Sequence, residues 1–332
     1  MHFRIAIATI VLSLPIQSLA ADAAQANSYA AHPGFPRFAE RMVREHGFDK
    51  AELESLFANV SRRQDIIDAI TRPAEAKPWY EYKPIFLTES RIRGGVEFWQ
   101  SREQDLQQSA KRFGVDPEVL VAIIGVETRY GDITGRYPVL AALSTLGFDY
   151  PPRGGFFLRE LEQFLLLADE EALDVSTVQG SYAGAMGGGQ FIPSSYRAYA
   201  VDMDGDGLRD LWDSWPDIIG SVANYFRKHG WRYGEPVIVP AIPTSAFNHS
   251  DLPGKLERKR VGELRRMGLT FTSGIDDDER ALLVALDNGG EKEYWIGLHN
   301  FWVITRYNRS PLYAMAAHLL SREILKQHRE SR

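Results

Sequence analysis

One stretch, residues 116–131, most constrains the fold because it places a single acid on an otherwise apolar helix face. Asp116 can cap a helix whose first turn contains Pro117, which has no N–H to lose there. Positions i, i+3, i+4 and i+7 then share one face, and they are Leu120, Ile123, Ile124 and Glu127. Burial raises the pKa of such a carboxyl, so that it can donate a proton at pH 7. Glu127 is therefore a candidate general acid, although a glutamate in a last helical turn is also typical of a solvated end or a partner for an arginine.

The first 21 residues predict a cleaved secretory signal. Arg4 provides a positive start, an apolar run follows from Ile5 to Ile16, and small residues end the segment at Ala21. That run is shorter than the about 20 residues that span a bilayer. The sequence contains no cysteine, so we expect no lipid anchor on a mature N-terminal cysteine. The mature protein is expected to be soluble in an exported compartment.

The composition, 44% hydrophobic with a formal net charge of -6, is that of an ordinary globular protein. Nucleic acid is disfavoured as a partner, because binding phosphates requires a basic surface. One local basic run, from Lys255 to Arg266, is most simply a solvated helix face. Contact with an anionic polymer is the alternative for this run.

Residues 27–112 predict an N-terminal α domain with helices at Pro36–His46, Lys50–Ala58, Ser61–Thr71 and Leu87–Phe113. Between the last two lies the proline-flanked aromatic segment 77–84, which we expect to be a loop. Its aromatic residues can be plain interhelical packing. Exposed aromatic side chains in loops also hold sugar rings, which makes Tyr82 a candidate ligand contact.

Two loops that follow the central helix also carry polar candidates. Residues 149–155 form a turn-rich segment that presents Arg153 before a helix at Phe156–Glu170. Residues 179–196 contain too many glycines for a helix interior, where each costs about 1 kcal/mol relative to alanine. This run lacks the Gly-Lys-Ser/Thr ending of a nucleotide loop. We interpret it as the wall of a groove with Ser181 and Gln190 as hydrogen-bonding residues, and a flexible turn is the alternative.

The segment 202–217 is similar to the calcium loop of an EF-hand. Oxygens at loop positions 1, 3 and 5, a glycine at 6 and a carbonyl at 7 match that pattern. Position 12 holds Asp213 instead of glutamate, so either Asp213 or the later Asp217 closes the site. We expect any calcium here to be structural, with an acidic turn that binds no metal as the alternative.

From residue 235 the pattern becomes β, with runs at 236–239, 269–272, 281–286 and 293–298. The last two flank an Asn-Gly turn, which is the strongest short-range hairpin signal. We therefore expect a small inserted antiparallel β domain over 235–304. A loop with Tyr307 and Asn308 then leads to a final helix at Pro311–Gln327, part of a segment 305–332 that returns to the α domain.

Taken in order, several segments resemble the lytic murein transglycosylase B family, and the resemblance covers nearly all the mature chain. The segments are Ile123–Gly131 around Glu127, the glycine run Gly184–Tyr196, the calcium-like loop, Ser221–Phe226 and Thr305–Asn308. The resemblance implies a mainly α (α+β) fold with a lysozyme-like core at 113–234. The lipobox cysteine of the family's anchored members is absent here.

The resemblance also implies roles for individual residues. Glu127 would be the single catalytic acid and base, and calcium would be held by Asp202, Asp204, Asp206, Leu208 and Asp217. Residues implied along the glycan groove are Tyr82, Arg153, Ser181, Gln190, Phe191, Tyr225, Tyr307, Asn308 and Tyr313. No catalytic cofactor is implied, only structural calcium. The implied partner is the glycan strand of peptidoglycan, and other cell-envelope enzymes are left open as partners.

Most glycosidases use two carboxylates, whereas the matched motifs supply one. The resemblance implies a substrate that provides its own nucleophile, so that cleavage between N-acetylmuramic acid (MurNAc) and N-acetylglucosamine (GlcNAc) leaves a 1,6-anhydro end. Two alternatives are a hydrolytic muramidase and a non-catalytic peptidoglycan-binding protein.

Overall fold

The computed structural model describes residues 28–72, 77–252 and 256–331. The expected signal segment, 1–21, and Lys255 of the basic run lie outside the described residues. Most of the rest is helical. The helices of the first half are α1 Phe35–His46, α2 Lys50–Ala58, α3 Gln64–Ile70, α4 Trp79–Phe86, α5 Glu89–Ser101, α6 Glu103–Phe113, α7 Pro117–Thr128, α8 Val139–Asp149 and α9 Gly154–Glu170. Those of the second half are α10 Pro193–Tyr199, α11 Trp215–Lys228, α12 Val261–Arg266, α13 His299–Tyr307 and α14 Pro311–Glu330.

Helix α7 lies at the centre of the helical part. Its residues 119–125 are all buried, because the helix is enclosed by α5, α6, α11 and α14. The long helix α14 packs along α7 and also against α4 and α5, so the end of the chain lies beside its middle. One continuous apolar core runs from Tyr29 to Ile324 through these helices. A helix buried on most sides must be apolar all round, which matches its sequence.

The strands form two antiparallel sheets. The smaller pairs β1 Tyr137–Pro138 with β2 Gln179–Gly180. The larger has the order β4-β6-β7-β3-β5, and its strands are β3 Ile238–Pro243, β4 Arg258–Arg260, β5 Leu269–Thr270, β6 Arg280–Asp287 and β7 Lys292–Gly297. The predicted Asn-Gly hairpin joins β6 to β7 with Val284 opposite Trp295. The predicted mainly helical chain with a small antiparallel sheet is confirmed, whereas the predicted domain boundaries stay a prediction.

Three predicted segments differ from the structure. The aromatic segment 77–84 is mostly helix α4, because Trp79 and Tyr82 are spaced i, i+3 and both turn into the core. The predicted helix 87–113 is two helices that meet at Arg102. The basic run is strand β4 followed by the short helix α12, instead of one helix face. Strand pairing with β6 overrides the local helical pattern there.

Within the described ranges, no helix combines the length and apolar character needed to cross a membrane.

Candidate active site

Glu127 lies one residue before the end of α7, and its side chain is half-buried. The chain leaves the helix through Arg129, Tyr130 and Gly131, whose φ angles of 51°, 64° and 98° are all left-handed. Left-handed backbone is costly for residues other than glycine, so this exit is held by its surroundings. The sharp turn ends the helix beside Glu127 and leaves the carboxylate at the rim of the core.

Two contacts that the sequence did not predict hold this turn. The buried Thr128 hydroxyl shares its one hydrogen between the carbonyls of Ile124 at 3.1 Å and Gly188 at 3.0 Å, and its oxygen accepts from Gly131 N–H. Thr128 therefore connects the end of α7 to the glycine run. The Arg91 guanidinium donates to the Gly125 carbonyl at 2.5 Å. Both side chains add a donor to carbonyls in the last turn of α7, since the Gly125 carbonyl also accepts from Arg129 N–H and the Ile124 carbonyl from Tyr130 N–H.

The Glu127 carboxylate accepts a hydrogen bond from the Tyr313 hydroxyl at 2.6 Å. Tyr313 lies in the first turn of α14, and its side chain is buried. Burial raises the pKa of Tyr313 and of Tyr307 well above the ordinary tyrosine range, and the charge of Glu127 raises both further. Glu127 is therefore electrostatically coupled to two tyrosines from the end of the chain, both of which stay protonated donors.

An aromatic cluster of Phe191, Tyr225 and Tyr307 lies next to this pair. The ring centroid of Tyr307 is 5.9 Å from Phe191 and 4.8 Å from Tyr225. The Tyr307 hydroxyl donates to the Gly189 carbonyl, and the Tyr225 hydroxyl donates to the Arg306 carbonyl, both at 2.5 Å. These bonds connect three distant parts of the chain.

The glycine run forms a folded wall, not a flexible turn. Met186 and Phe191 pair their backbones across a tight loop, with N···O distances of 2.9 Å in both directions. A Cβ at Gly187 would lie 2.2 Å from the Leu211 carbonyl oxygen, and one at Gly189 would lie 3.2 Å from the Tyr307 hydroxyl. The close approach of the wall to its neighbours therefore requires glycine at 187 and leaves little room for a larger residue at 189.

Ser181 and Gln190 both use part of their hydrogen-bonding capacity inside this wall. The Ser181 hydroxyl oxygen accepts from the N–H of Ala185 at 3.0 Å. The Gln190 amide nitrogen donates to the carbonyls of Thr134 at 2.9 Å and Gly187 at 3.0 Å, and its φ of 50° is left-handed. The amide oxygen of Gln190 accepts no hydrogen bond from the residues that the structure describes. The hydroxyl hydrogen of Ser181 and the amide oxygen of Gln190 are the groups that a ligand can use.

The remaining groove candidates occupy different settings. Tyr82, which we expected to be exposed in a loop, is only 4% exposed on helix α4, so that expectation is wrong. It lies near Tyr313, whose pKa its charge affects. Tyr307 ends helix α13 and does not lie in a loop, whereas Asn308 follows the helix and accepts from Ser310 N–H. Arg153 is exposed at the start of α9, where its guanidinium packs over Phe156.

The segment 202–217 brings three carboxylates together. Oxygens of Asp202, Asp204 and Asp217 lie within 4.8 Å of one another. Asp217 is fully buried, and burial raises the pKa of its carboxyl, with a further contribution from the charge of Asp204. A buried carboxylate beside two others is the setting that a hard cation such as calcium would stabilise. The residues therefore fit calcium.

The other loop candidates are outside this group of three. Asp213 is exposed, and Asp206 accepts from the Leu208 N–H at 2.8 Å. The Leu208 side chain is 52% exposed, so only its backbone carbonyl can be a ligand.

Asp116 also differs from expectation. Its carboxylate makes no capping bond and accepts from the Trp231 indole N–H at 2.8 Å.

Comparison with known proteins gives a consistent result. Residues 30–322 match the family model described as "Transglycosylase SLT domain". The chain is 41% identical over 307 residues to the membrane-bound lytic murein transglycosylase B of Escherichia coli, covering 89% of this chain and 84% of that protein.

Solved structures of lytic transglycosylases are also similar to this chain. The soluble lytic transglycosylase SltB1 of Pseudomonas aeruginosa is 48% identical with a TM-score of 0.83, over 89% of this chain and 99% of that one. The E. coli lytic transglycosylase Slt35, solved in complex with calcium, is 40% identical with a TM-score of 0.82, over 91% of this chain and 97% of that one. The expected lysozyme-like fold class is confirmed.

Proposed function

This chain belongs to the transglycosylase SLT family and is a peptidoglycan lytic transglycosylase, and from that premise we propose that Glu127 is its single catalytic acid and base. The observation that supports this role is the placement of Glu127. Its half-buried carboxylate lies at a helix end, hydrogen-bonded to Tyr313 and within the electrostatic reach of Tyr307. No second carboxylate is required if the substrate supplies the nucleophile.

In the proposed reaction Glu127 first donates a proton and then accepts one. Protonated Glu127 gives its proton to the glycosidic oxygen between MurNAc and GlcNAc, and the bond from that oxygen to muramyl C1 breaks. The muramyl N-acetyl oxygen stabilises the positive charge that develops at C1. The carboxylate of Glu127 then takes the proton of the muramyl C6 hydroxyl as this oxygen bonds to C1. The products are a 1,6-anhydro-MurNAc end and a free GlcNAc end, with no water consumed.

The groove residues are proposed to orient the sugars. The Ser181 hydroxyl hydrogen suits the N-acetyl oxygen, and the amide oxygen of Gln190 suits a sugar hydroxyl or N–H, because neither group is used within the wall. The half-buried ring of Tyr307 is proposed to contact the sugars, while the buried rings of Phe191 and Tyr225 pack against it and hold it in place. Tyr82, Asn308 and Arg153 stay proposed contacts with weaker support.

Calcium is proposed to be held by Asp202, Asp204 and Asp217, with Asp206 and the Leu208 carbonyl as further candidate ligands. When bound it would neutralise the buried carboxylate of Asp217 and the two carboxylates beside it, and tie the 202–217 loop to helix α11. Because calcium fills its coordination with oxygen ligands, its role here is structural. We also propose that the mature protein acts in the periplasm, the compartment that contains murein.

Substitution Glu127→Gln tests the assignment, because the amide keeps the shape of the side chain but cannot transfer the proton. We expect release of anhydro-muropeptides from purified sacculi to fall by about 10²–10⁴-fold while binding persists. The matched control is Glu118→Gln, which changes another half-buried glutamate of the same helix and should leave release unchanged.

Mass spectrometry of the products separates the remaining possibilities. Transglycosylation gives a muropeptide lighter by one water than the hydrolysed product. Undiminished release by the Glu127→Gln protein would refute the catalytic assignment, and hydrolysed ends would show a muramidase. Binding without any cleavage by the wild-type protein would show a carbohydrate-binding role only.

A further inference from the structure

We propose that four arginines beside the groove bind carboxylates of the peptides that murein strands carry. We name this group the arginine cluster, and it consists of Arg258, Arg280, Arg306 and Arg309. The inference rests on the proposed function for its substrate, since murein peptides are attached to the muramyl residues that the groove is proposed to hold.

The arginine cluster is built around one indole. The guanidinium carbon of Arg306 lies 3.8 Å from the Trp302 ring centroid, and that of Arg258 lies 5.6 Å from it. Trp302 and Arg306 are one turn apart on α13, whereas Arg258 comes from strand β4. Guanidinium planes that stack on an aromatic ring keep their N–H groups directed outward at low entropic cost. The sheet and α13 therefore present two oriented guanidinium groups at their junction.

The arginine cluster is not paired with acids by salt bridges among the described residues. None of its four members forms a salt bridge there, although Arg258 donates to the Arg280 carbonyl at 2.9 Å. The Nε atoms of both Arg258 and Arg306 are buried without a hydrogen-bond partner in the same ranges. The charges of Arg280 and Arg232 both act on Arg258, and that of Glu279 opposes them.

Burial lowers the pKa of both stacked arginines. Repulsion from Arg280 lowers that of Arg258 further, and repulsion from Arg309 does so for Arg306. Concentrated positive charge of this kind is unfavourable without an anion. Exposed Arg280 and Arg309 leave the cluster open to solvent on one side. The arrangement therefore favours an external anionic ligand.

The position of the cluster connects it to the groove. The Arg306 carbonyl accepts the hydrogen bond of the Tyr225 hydroxyl, and Arg306 directly precedes Tyr307. Tyr307 and Asn308, two of the proposed groove residues, lie between Arg306 and Arg309 in the chain. Substituents of a sugar held at this end of α13 are therefore the groups that could reach the guanidinium groups.

The chemistry of the ligand follows from the geometry of arginine. A guanidinium fork matches a carboxylate in a bidentate manner, and murein peptides carry several carboxylates. A second source is the lactyl carboxylate of the muramyl residue, which becomes free when the peptide is removed. We assign the cluster to the peptide carboxylates, because four arginines exceed what one lactyl group can pair with.

The test is a binding measurement that does not require catalysis. Glycan oligomers of alternating GlcNAc and MurNAc are titrated calorimetrically into the full chain that carries Glu127→Gln, so that no probe is cleaved. Three probes are compared: oligomers with peptides, the same oligomers after amidase removal of the peptides, and neutral chitin oligomers. We expect Arg306→Gln and Arg309→Gln each to weaken binding of the peptide-bearing probe by about tenfold and to leave the other two unchanged.

Two further variants control for charge and folding. Arg266→Gln removes an exposed arginine of the same sheet region that does not act on Arg258 or Arg306, and it should change nothing. Arg306→Lys keeps the charge but loses the fork, so an intermediate loss supports bidentate pairing. Exposed Arg309 remains informative if variants of Arg306 do not fold.

Two results would overturn the proposal: equal binding by wild type and both glutamine variants, or an equal loss on the amidase-treated oligomers. Failure here is distinguishable from failure of the proposed function. Hydrolysed product ends would overturn the reaction but leave the binding result intact, whereas loss of peptide dependence would leave the reaction intact.

Discussion

Substitution Tyr313→Phe should shift the pH dependence of cleavage while leaving the core packed. The Tyr313 hydroxyl donates to the Glu127 carboxylate at 2.6 Å from a buried position. Phenylalanine keeps the ring and removes only that donor. A hydrogen bond from a neutral donor favours the charged form of a carboxylate, so its loss favours the protonated acid.

The size of the shift follows from the strength of that bond. A hydrogen bond to a charged group contributes about 1.5–3 kcal/mol, whereas one between neutral groups contributes about 0.5–1.5 kcal/mol. The difference, about 1.4 kcal/mol, corresponds to about one pH unit. General acid catalysis is lost as pH rises through deprotonation of the acid. The alkaline limb of kcat/KM should therefore move about one unit toward higher pH in Tyr313→Phe.

The assay is the rate of anhydro-muropeptide release from solubilised glycan strands between about pH 4 and pH 9. The matched control is Tyr29→Phe, which removes another tyrosine hydroxyl that donates to a carboxylate at 2.6 Å, here Asp149 on α8. This control should leave the limb in place. An unmoved limb in Tyr313→Phe, or an equal movement in the control, would refute the coupling between Tyr313 and the catalytic proton.

Two further predictions concern stability. Removal of calcium with a chelator should lower the melting temperature, by an amount that corresponds to about 2.7 kcal/mol where free calcium is about a hundred times Kd. Asp217→Asn should abolish that sensitivity and Asp213→Asn should retain it, because only Asp217 is in the group of three carboxylates; the reverse result in differential scanning calorimetry would assign the site to Asp213. Burial, with the charge of Arg322, lowers the pKa of His318 to about 4 from 6.5. Its neutral form therefore stabilises the fold above pH 6.5, and this contribution, roughly 3 kcal/mol at most, is lost as pH falls toward 4. His318→Leu should flatten the fall of the unfolding free energy over that pH window, and an unchanged slope would contradict the assignment.

Local sequence pattern predicted the parts of the fold that local forces determine. Helix α7 runs from Pro117 to Thr128. The first-turn proline defines where it starts, and the apolar spacing defines which face is buried. The hairpin between β6 and β7 follows from Asn288 and Gly289. These signals depend only on residues close together in the chain, so they can be recognised from one sequence alone.

The local sequence pattern could not predict contacts between segments that are distant in the chain. Helix α4 was expected to be a loop because of its prolines, yet the i, i+3 spacing of Trp79 and Tyr82 was the signal that could have identified it. The bond from Tyr313 to Glu127 joins residues 186 positions apart, and no local pattern specifies it. The resemblance to a family supplied Tyr313 as a groove residue, whereas its bond to the acid came from the structure alone.

Four supporting residues of the site share one physical feature, which explains why the sequence did not predict Thr128 and Arg91 or the bonds that Tyr225 and Tyr307 make. Thr128, Arg91, Tyr225 and Tyr307 each donate from a side chain to a backbone carbonyl: those of Gly188, Gly125, Arg306 and Gly189. Such bonds supply donors to carbonyls near helix ends and in the glycine wall, where the regular backbone ladder is interrupted. They fix the distance between the acid and the wall without adding a reactive group. Catalysis by one carboxylate requires that fixed distance, because the same atoms must meet the glycosidic oxygen first and the C6 hydroxyl afterwards.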